Sequence, residues 1–331
     1  MKNLIPRFIH DQYKGNSLEG DFSATAMFMD ISGFTTMTEK LMNHGKEGAE
    51  ILSDILNDVF DPVSDAIYKR GGYISGFAGD ALTAIFPFID NRANLEVVFS
   101  AVAIKELFKK KRTQKTRFGD FELYVKLGLS AGPVHWGIAG AKNRKTYYFK
   151  GPAIVGCANS EHQCNKMDIV LDENLFHLLR KAGSPWRPFF AMEKLDNGYF
   201  KLAATAVTTI LASYDTTPPG GTTRTFPGQD PDSRSREEED GGKILAEKVL
   251  AKFVPDSILS HKHRGEFRHI VSVFISFVEP DGFLELNEFV RNVLNEVETF
   301  GGYFNSLDFG DKGGAILIIF GAPVSNEDSL K

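Results

Sequence analysis

Two stretches of the chain decide how its first half is expected to fold: ATAMFMDISGFTTM at residues 24–37 and GGYISGFAGDALTAIF at residues 71–86. In the first, an apolar run ends at Asp30 and meets Gly33, which predicts a buried strand that turns into a helix. In the second, two short apolar runs flank Asp80, which predicts a β-hairpin with a carboxylate at its tip. Both stretches therefore place an aspartate at the end of a strand.

Helices and strands alternate around these stretches. Apolar residues at four-residue intervals predict a helix between them, with a kink or break at Pro62: Ile51, Ile55, Val59, Val63 and Ile67. Leu95 to Phe108 predicts a second helix, and the basic run Lys109 to Lys115 a solvated connection. Phe121 to Ala131 and Val134 to Ala139 predict two further strands. The pattern is that of an α+β domain.

The composition is that of a globular protein without an obvious charged partner. The chain has 331 residues, 42% of them hydrophobic and 24% charged, with a net charge of -5. This length suits two domains, and the acidic balance argues against nucleic acid as a partner. No signal peptide and no run of about 18 apolar residues is recognisable, so no membrane span is expected and a cytoplasmic location is predicted.

The organisation predicted along the chain is a domain over residues 1–212, a flexible linker over 213–243 and a partial second domain over 244–331. The linker is rich in Pro, Gly, Ser, Thr and charge, and lacks the apolar residues of a core. The second domain is identified by an internal repeat, because GGYFNSLDFGDKGGAILIIF at residues 301–320 echoes the stretch at 71–86.

Asp30 and Asp80 are candidates for a metal site. Two carboxylates at the ends of neighbouring strands suit a hard cation such as Mg²⁺ or Mn²⁺, which bridges carboxylates to phosphates. The backbone amides of the turn that follows Asp30 would form an anion-binding nest: Ser32, Gly33, Phe34 and Thr35. The spacing is explained equally well if Asp30 is a helix cap and Asp80 a turn residue.

The residues FMDISGFTTMTEKL and GGYISGFAGDALTAIF closely resemble the two metal-binding segments of class III adenylyl and guanylyl cyclases, most nearly the soluble, bicarbonate-responsive type. The resemblance implies a ferredoxin-like α+β domain with a βααββαβ-type sheet, followed by a partial second copy. It also implies that two such domains pair within the chain, and that Asp30, Asp80 and the backbone carbonyl of Ile31 hold two Mg²⁺ or Mn²⁺ ions. The implied reaction forms a 3′,5′-cyclic nucleotide and pyrophosphate, from ATP or alternatively GTP.

Several positions depart from the family pattern. Gly156 and Asn159 stand where the family's transition-state Asn and Arg are expected, so the first domain resembles the metal-binding half of a pair. Ser276 stands near the metal-aspartate position of the second domain, and Ser306 near the purine-reading lysine of adenylyl cyclases. Gly76 and Asn159 occupy the places of the bicarbonate-binding lysine and arginine, so bicarbonate control is not expected.

Arg144 completes the candidate phosphate-binding residues, because the family places a basic contact to the terminal phosphates near this position; a plain surface-loop cation is an equal alternative. The resemblance implies that Asn and Arg come from a later part of the second domain. This 331-residue chain by itself is therefore expected to have little cyclase activity. A catalytically silent nucleotide-sensing or regulatory module is the alternative function.

Overall fold

Eight strands of the first unit form one sheet, and the strand that contains Asp30 and the two strands that flank Asp80 belong to it. The computed structural model describes residues 5–88, 93–181, 191–203, 248–259, 267–310 and 313–322. The helices are α1 (Arg7–Lys14), α2 (Phe34–Met42), α3 (Gly45–Tyr68), α4 (Ala93–Lys110), α5 (Pro152–His162) and α6 (Glu173–Arg180). The strands are β1 (Glu19–Ser32), β2 (Tyr73–Ala78), β3 (Ala81–Pro87), β4 (Thr113–Thr116), β5 (Gly119–Glu122), β6 (Tyr124–Gly140), β7 (Lys145–Lys150), β8 (Ile169–Leu171), β9 (Met192–Lys194) and β10 (Phe200–Leu202).

The strand order confirms the predicted fold class. The sheet runs β2-β3-β1-β6-β8-β10-β9, with β7 also paired to β6, and β4 and β5 form a separate hairpin. Helices α2 and α3 lie between β1 and β2 along the chain, and α4 lies between β3 and β6. A βαββαβ chain with the order β2-β3-β1-β6 is ferredoxin-like. The long strand β1 is central, because it pairs with β3 on one edge and with β6 on the other.

Two apolar clusters cover the two faces of this sheet. One buries Met27 and Met29 of β1 against α3 and α4, and the predicted helical stripe supplies Ile55, Val59, Val63 and Ile67 to it. The other packs α1 and α5 on the opposite face, with Phe8 at 5.2 Å from Trp136, centroid to centroid. Val249 and Phe253 also belong to this second cluster, so residues that the sequence assigns to the second domain pack against the first.

One predicted boundary is narrowed and two were wrong. Helix α3 continues through Pro62, so of the predicted kink or break the break is excluded. The basic run does not end as a loop, because Thr113–Thr116 pairs with β5. The two strands expected over 121–139 are largely one strand, β6, which continues through Pro133. Pro133 lies between the parts of β6 that pair with β8 and with β7, where its missing N–H breaks no ladder on that edge.

The second unit repeats the first arrangement with fewer helices. Its elements are a short helix α7 (Asp256–Leu259), strand β11 (Val271–Phe277), helix α8 (Phe283–Thr299) and strands β12 (Tyr303–Gly310) and β13 (Gly313–Phe320). The order β11-β13-β12 reproduces β1-β3-β2. Both hairpins shift register after the second residue of their first strand, between Ile74 and Gly76 and between Phe304 and Ser306. The internal repeat is thus confirmed in the described residues.

The two units pack against each other through β7 and α8. An apolar cluster shared by both buries Tyr148 with Val290, and the rings of Tyr148 and Phe309 lie 5.0 Å apart. The Gly140 N–H donates to Asn287 Oδ1 at 2.8 Å. The predicted linker and both domain limits near it fall within 204–247, outside the described residues, and stay predictions.

Candidate functional site

Strand β1 carries Asp30 to the edge of the candidate site, where β6 presents a lysine to it. Asp30 pairs in register with Lys126, and Lys126 Nζ lies 3.1 Å from Asp30 Oδ2. The same Nζ lies 2.5 Å from Glu161 Oε1, and the Glu161 side chain is only 5% exposed. Hydrogen bonds to both carboxylates outweigh partial burial and raise the pKa of Lys126. Lys126 is therefore held as a cation between a buried carboxylate and Asp30.

Asp80 lies beside the end of β1, in the tight turn between β2 and β3. The β1–β3 register ends at Met29 opposite Leu82, and two further residues in the same register bring Asp80 opposite Ile31. Partial burial raises the pKa of the Asp80 carboxyl, and the negative charge of Asp30 raises it further. The β1–β3 register thus places Asp30, Ile31 and Asp80 at the same end of this strand pair.

The turn from β1 into α2 depends on a glycine. Gly33 has φ +98°, and a Cβ there would lie 2.3 Å from the main-chain oxygen of Glu122. The turn therefore combines a left-handed backbone with a close approach of β5, and both exclude a side chain. Ser32 is half-buried, Gly33 and Thr35 are exposed, and Phe34 packs on the core. Helix α2 begins at Phe34, so its first backbone amides lie close to Asp30 along the chain.

Arg144 lies elsewhere. It belongs to the bend between β6 and β7, at the Gly140 end of β6, whereas Asp30 faces Lys126 near the other end of this 17-residue strand. Its charge acts on Tyr303 of the second unit. The structure thus groups Asp30, Ile31, Ser32, Gly33 and Asp80, and does not bring Arg144 to them within the first unit.

Helix α5 offers neither of the donors that the family resemblance assigns to it. A Cβ at Gly156 would lie 2.2 Å from Ser130 Oγ, so this position faces the sheet at close range. Asn159 is half-buried. Close packing of α5 on β6 continues at Gly128, where a Cβ would lie 2.1 Å from the Cys157 carbonyl oxygen. The helix is set tightly on the sheet by small residues.

The repeat identifies which second-unit positions correspond to the two aspartates. In the second unit Ile316 pairs with Ile275, as Leu82 pairs with Met29 in the first unit. Ser276 follows Ile275 as Asp30 follows Met29, so these two positions are equivalent. By the same register, Gly314 is equivalent to Asp80. A Cβ at Gly314 would lie 2.3 Å from the Phe277 ring. An aromatic ring therefore fills the space where the first unit has its second carboxylate.

Sequence reasoning missed Lys126 and Glu161. The sequence signal for this pair was Lys126, a charged residue inside the otherwise apolar run Tyr124 to Leu129, which lies on a strand buried on both faces. A lysine in such a strand needs a carboxylate partner, which indicates a built site. Among the described residues no three His, Cys, Asp or Glu side chains converge as metal ligands.

Comparison with known proteins identifies the class. Residues 19–207, more than half of the chain, match the adenylate and guanylate cyclase catalytic domain, and the chain belongs to this family. Among solved structures, the chain is similar to the guanylate cyclase domain of RhGC from Catenaria anguillulae in complex with GTP. It is 20% identical, with a TM-score of 0.45 over 56% of this chain and 98% of that one.

Two relatives match different shares of the chain. Adenylate cyclase type 10 of Homo sapiens is 26% identical over 330 residues, which is 91% of this chain and 19% of the relative. Adenylate cyclase 1 of Rhizobium meliloti is 28% identical over 155 residues, 46% of this chain and 22% of the relative. The chain thus spans about a fifth of the length of these relatives. Across the described residues, no helix has the length and apolar character needed to cross a membrane.

Proposed function

We propose that this chain belongs to a nucleotide cyclase, which converts ATP to a 3′,5′-cyclic nucleotide and pyrophosphate, and that the first unit is its metal-binding half. The observation that carries the proposal is the convergence of Asp30, Ile31 and Asp80 beside the start of α2. GTP is the alternative substrate, because Ser306 stands at the register position of Gly76 and offers no lysine to read the purine.

The residues present fit a divalent metal. Two neighbouring carboxylates, with a main-chain carbonyl beside them, are the oxygen donors that Mg²⁺ and Mn²⁺ prefer. Two carboxylates alone do not saturate such an ion, so phosphate and water oxygens would complete its coordination. When bound, the ions neutralise charge that develops on the phosphates and favour ionisation of the ribose hydroxyl.

The chain's own residues orient the polyphosphate. The amides of Ser32 to Thr35 would accept a phosphate at the start of α2. Lys126 holds Asp30 in place through its ion pair, and Glu161 keeps the ammonium group from leaving the site. Attack of the 3′-oxygen on the α-phosphate forms one P–O bond and breaks the bond to pyrophosphate, and positioning in line provides most of the acceleration.

Pairing of the two units is part of the proposal. The shared cluster around Tyr148 and Val290 supports it, as does the ion pair between Lys150 and Glu279. The second unit lacks carboxylates at Ser276 and Gly314, so the pair has one metal site and not two. This asymmetry is consistent with a division of labour between the units.

A turnover assay tests the function. The longest natural chain that carries this sequence is incubated with Mn²⁺ and either ATP or GTP, and cyclic nucleotide is measured by mass spectrometry. Asp30→Asn and Asp80→Asn should abolish the product, whereas Asp58→Asn, on the exposed side of α3, should not. Equal turnover in all three variants would refute the assignment.

One observation favours a second candidate, a nucleotide-binding regulatory module without turnover. Gly156 faces Ser130 closely, and α5 presents no transition-state cation. This function predicts metal-dependent nucleotide binding that is lost in Asp30→Asn, with no cyclic product from either nucleotide.

A further inference from the structure

A basic hairpin lies directly beside the phosphate-binding turn. The main chain of Glu122 approaches Gly33 so closely that a Cβ at Gly33 would meet its oxygen at 2.3 Å. Tyr124, two residues later, pairs in register with Ser32. Register partners in an antiparallel sheet place their side chains on the same face. Tyr124 therefore shares a face with Ser32, and by the two-residue alternation with Lys126 and Asp30.

Two cations lie against the Tyr124 ring. The Arg112 guanidinium carbon lies 4.3 Å from the ring centroid, and Lys166 Nζ lies 4.4 Å from it. Both distances are within the range of cation–π attraction. Arg112 also contacts Glu122 Oε2 at 3.0 Å, so its charge is largely balanced. Lys166 makes no ion pair with any described residue, and it leaves this cluster with a net positive charge.

Lys166 is held in place by backbone hydrogen bonds. It lies in the turn after α5, where the Met167 N–H donates to the Val125 carbonyl at 2.7 Å and the Asp168 N–H donates to the Asn165 carbonyl at 3.0 Å. The turn is thus tied to β6 at the residue next to Tyr124. A lysine on an anchored turn loses less freedom on binding an anion than one on a loose loop.

Charge counting shows why the candidate site needs more cations. Two divalent ions neutralise the negative charges of Asp30 and Asp80 and leave about two positive charges. The charges of Lys126 and Glu161 neutralise each other. A nucleoside triphosphate brings about four negative charges. Helix α5 adds no cation, since Gly156 and Asn159 are neutral. The remaining negative charge of the triphosphate must be neutralised by nearby cations. Residues 109–122 carry six Lys or Arg and only two Asp or Glu.

We propose that Lys166 and Arg112, gathered on Tyr124, form a subsite for the terminal phosphate of the nucleotide and then for the pyrophosphate that leaves. The inference rests on the proposed function, because it assumes that the α-phosphate lies at Asp30 and Asp80. Lys126 marks the inner end of this row of cations, and Lys166 the outer, exposed end.

The experiment measures inorganic pyrophosphate with Mg²⁺ by ³¹P NMR titration, which detects millimolar binding without turnover. The chain carries Lys166→Glu, or Lys194→Glu as a control that reverses one charge on β9, at the far edge of the sheet. At low ionic strength Lys166→Glu should weaken binding about ten-fold, from the Coulomb energy of a reversed charge close to the phosphates. The difference should shrink as salt is added. Lys194→Glu should leave the affinity unchanged.

A third variant separates the two proposals. Loss of pyrophosphate binding in Asp30→Asn, with unchanged binding in Lys166→Glu, would overturn the subsite and leave the metal site standing. Unchanged binding in Asp30→Asn would overturn the metal site itself. Absence of any pyrophosphate binding by the unmodified chain would overturn the subsite as well.

Discussion

Replacing Gly33 with alanine should damage the phosphate-binding turn through two separate terms. A non-glycine residue at φ +98° costs about 1–2 kcal/mol in backbone strain. The new Cβ would also lie 2.3 Å from the Glu122 oxygen, so that β5 must move by about 1 Å before the contact is tolerable. A packing displacement of this kind typically costs about 1–3 kcal/mol. The expected total for Gly33→Ala is about 3 kcal/mol of unfolding free energy.

A matched glycine isolates the contact term. Gly119, the first residue of β5, has φ +124° and nothing within 4 Å of its built Cβ. Gly119→Ala should therefore cost only the backbone term, about 1–2 kcal/mol. Urea unfolding followed by circular dichroism gives both values. If Gly33→Ala is no more destabilising than Gly119→Ala, the close approach of β5 to the turn is refuted.

Three further variants test neighbouring parts of the account. Lys126→Met should cost about 3 kcal/mol in urea unfolding because it strands the buried Glu161 carboxylate, and adding Glu161→Gln should restore most of the loss. Val290→Ala should lower hydrogen-exchange protection of α8 by about 2–3 kcal/mol, whereas Phe300→Ala, at a side chain 72% exposed, should change it by less than about 0.5 kcal/mol. Ser276→Asp should leave the Mn²⁺ stoichiometry unchanged, because a ring fills the neighbouring position; a second bound ion would contradict this.

The two aspartate-bearing stretches were predictable because their signals are local. The strand before Asp30, the hairpin around Asp80 and the stripe on α3 each follow from periodicity within about 20 residues. The echo of GGY in the second unit was equally visible, and the structure adds a reason for its glycines. A Cβ at Gly72 would lie 2.5 Å from the Phe86 ring, and one at Gly302 would lie 2.7 Å from Phe320.

What the sequence could not give depends on pairing between distant residues. The partnership of Lys126 with Asp30 follows from the β1–β6 register, which spans almost 100 positions and has no local signal. Pro133 predicted the end of a strand. A proline is tolerated inside β6 because its missing N–H lies at a point where the edge of β6 that pairs with β7 and β8 has no partner strand among the described residues. The family resemblance predicted Arg144 at the phosphates. Because β6 is one long strand, Arg144 follows the end of β6 that lies far from Asp30.

The central claim is that Asp30 and Asp80 together hold divalent metal. Titration of the chain with Mn²⁺, followed by electron paramagnetic resonance in the presence of a non-hydrolysable ATP analogue, tests it directly. Asp30→Asn and Asp80→Asn should each abolish nucleotide-dependent Mn²⁺ binding, and circular dichroism should report an unchanged fold. Asp58→Asn should bind as the unmodified chain does. Retention of full Mn²⁺ binding in both Asp30→Asn and Asp80→Asn would contradict the account.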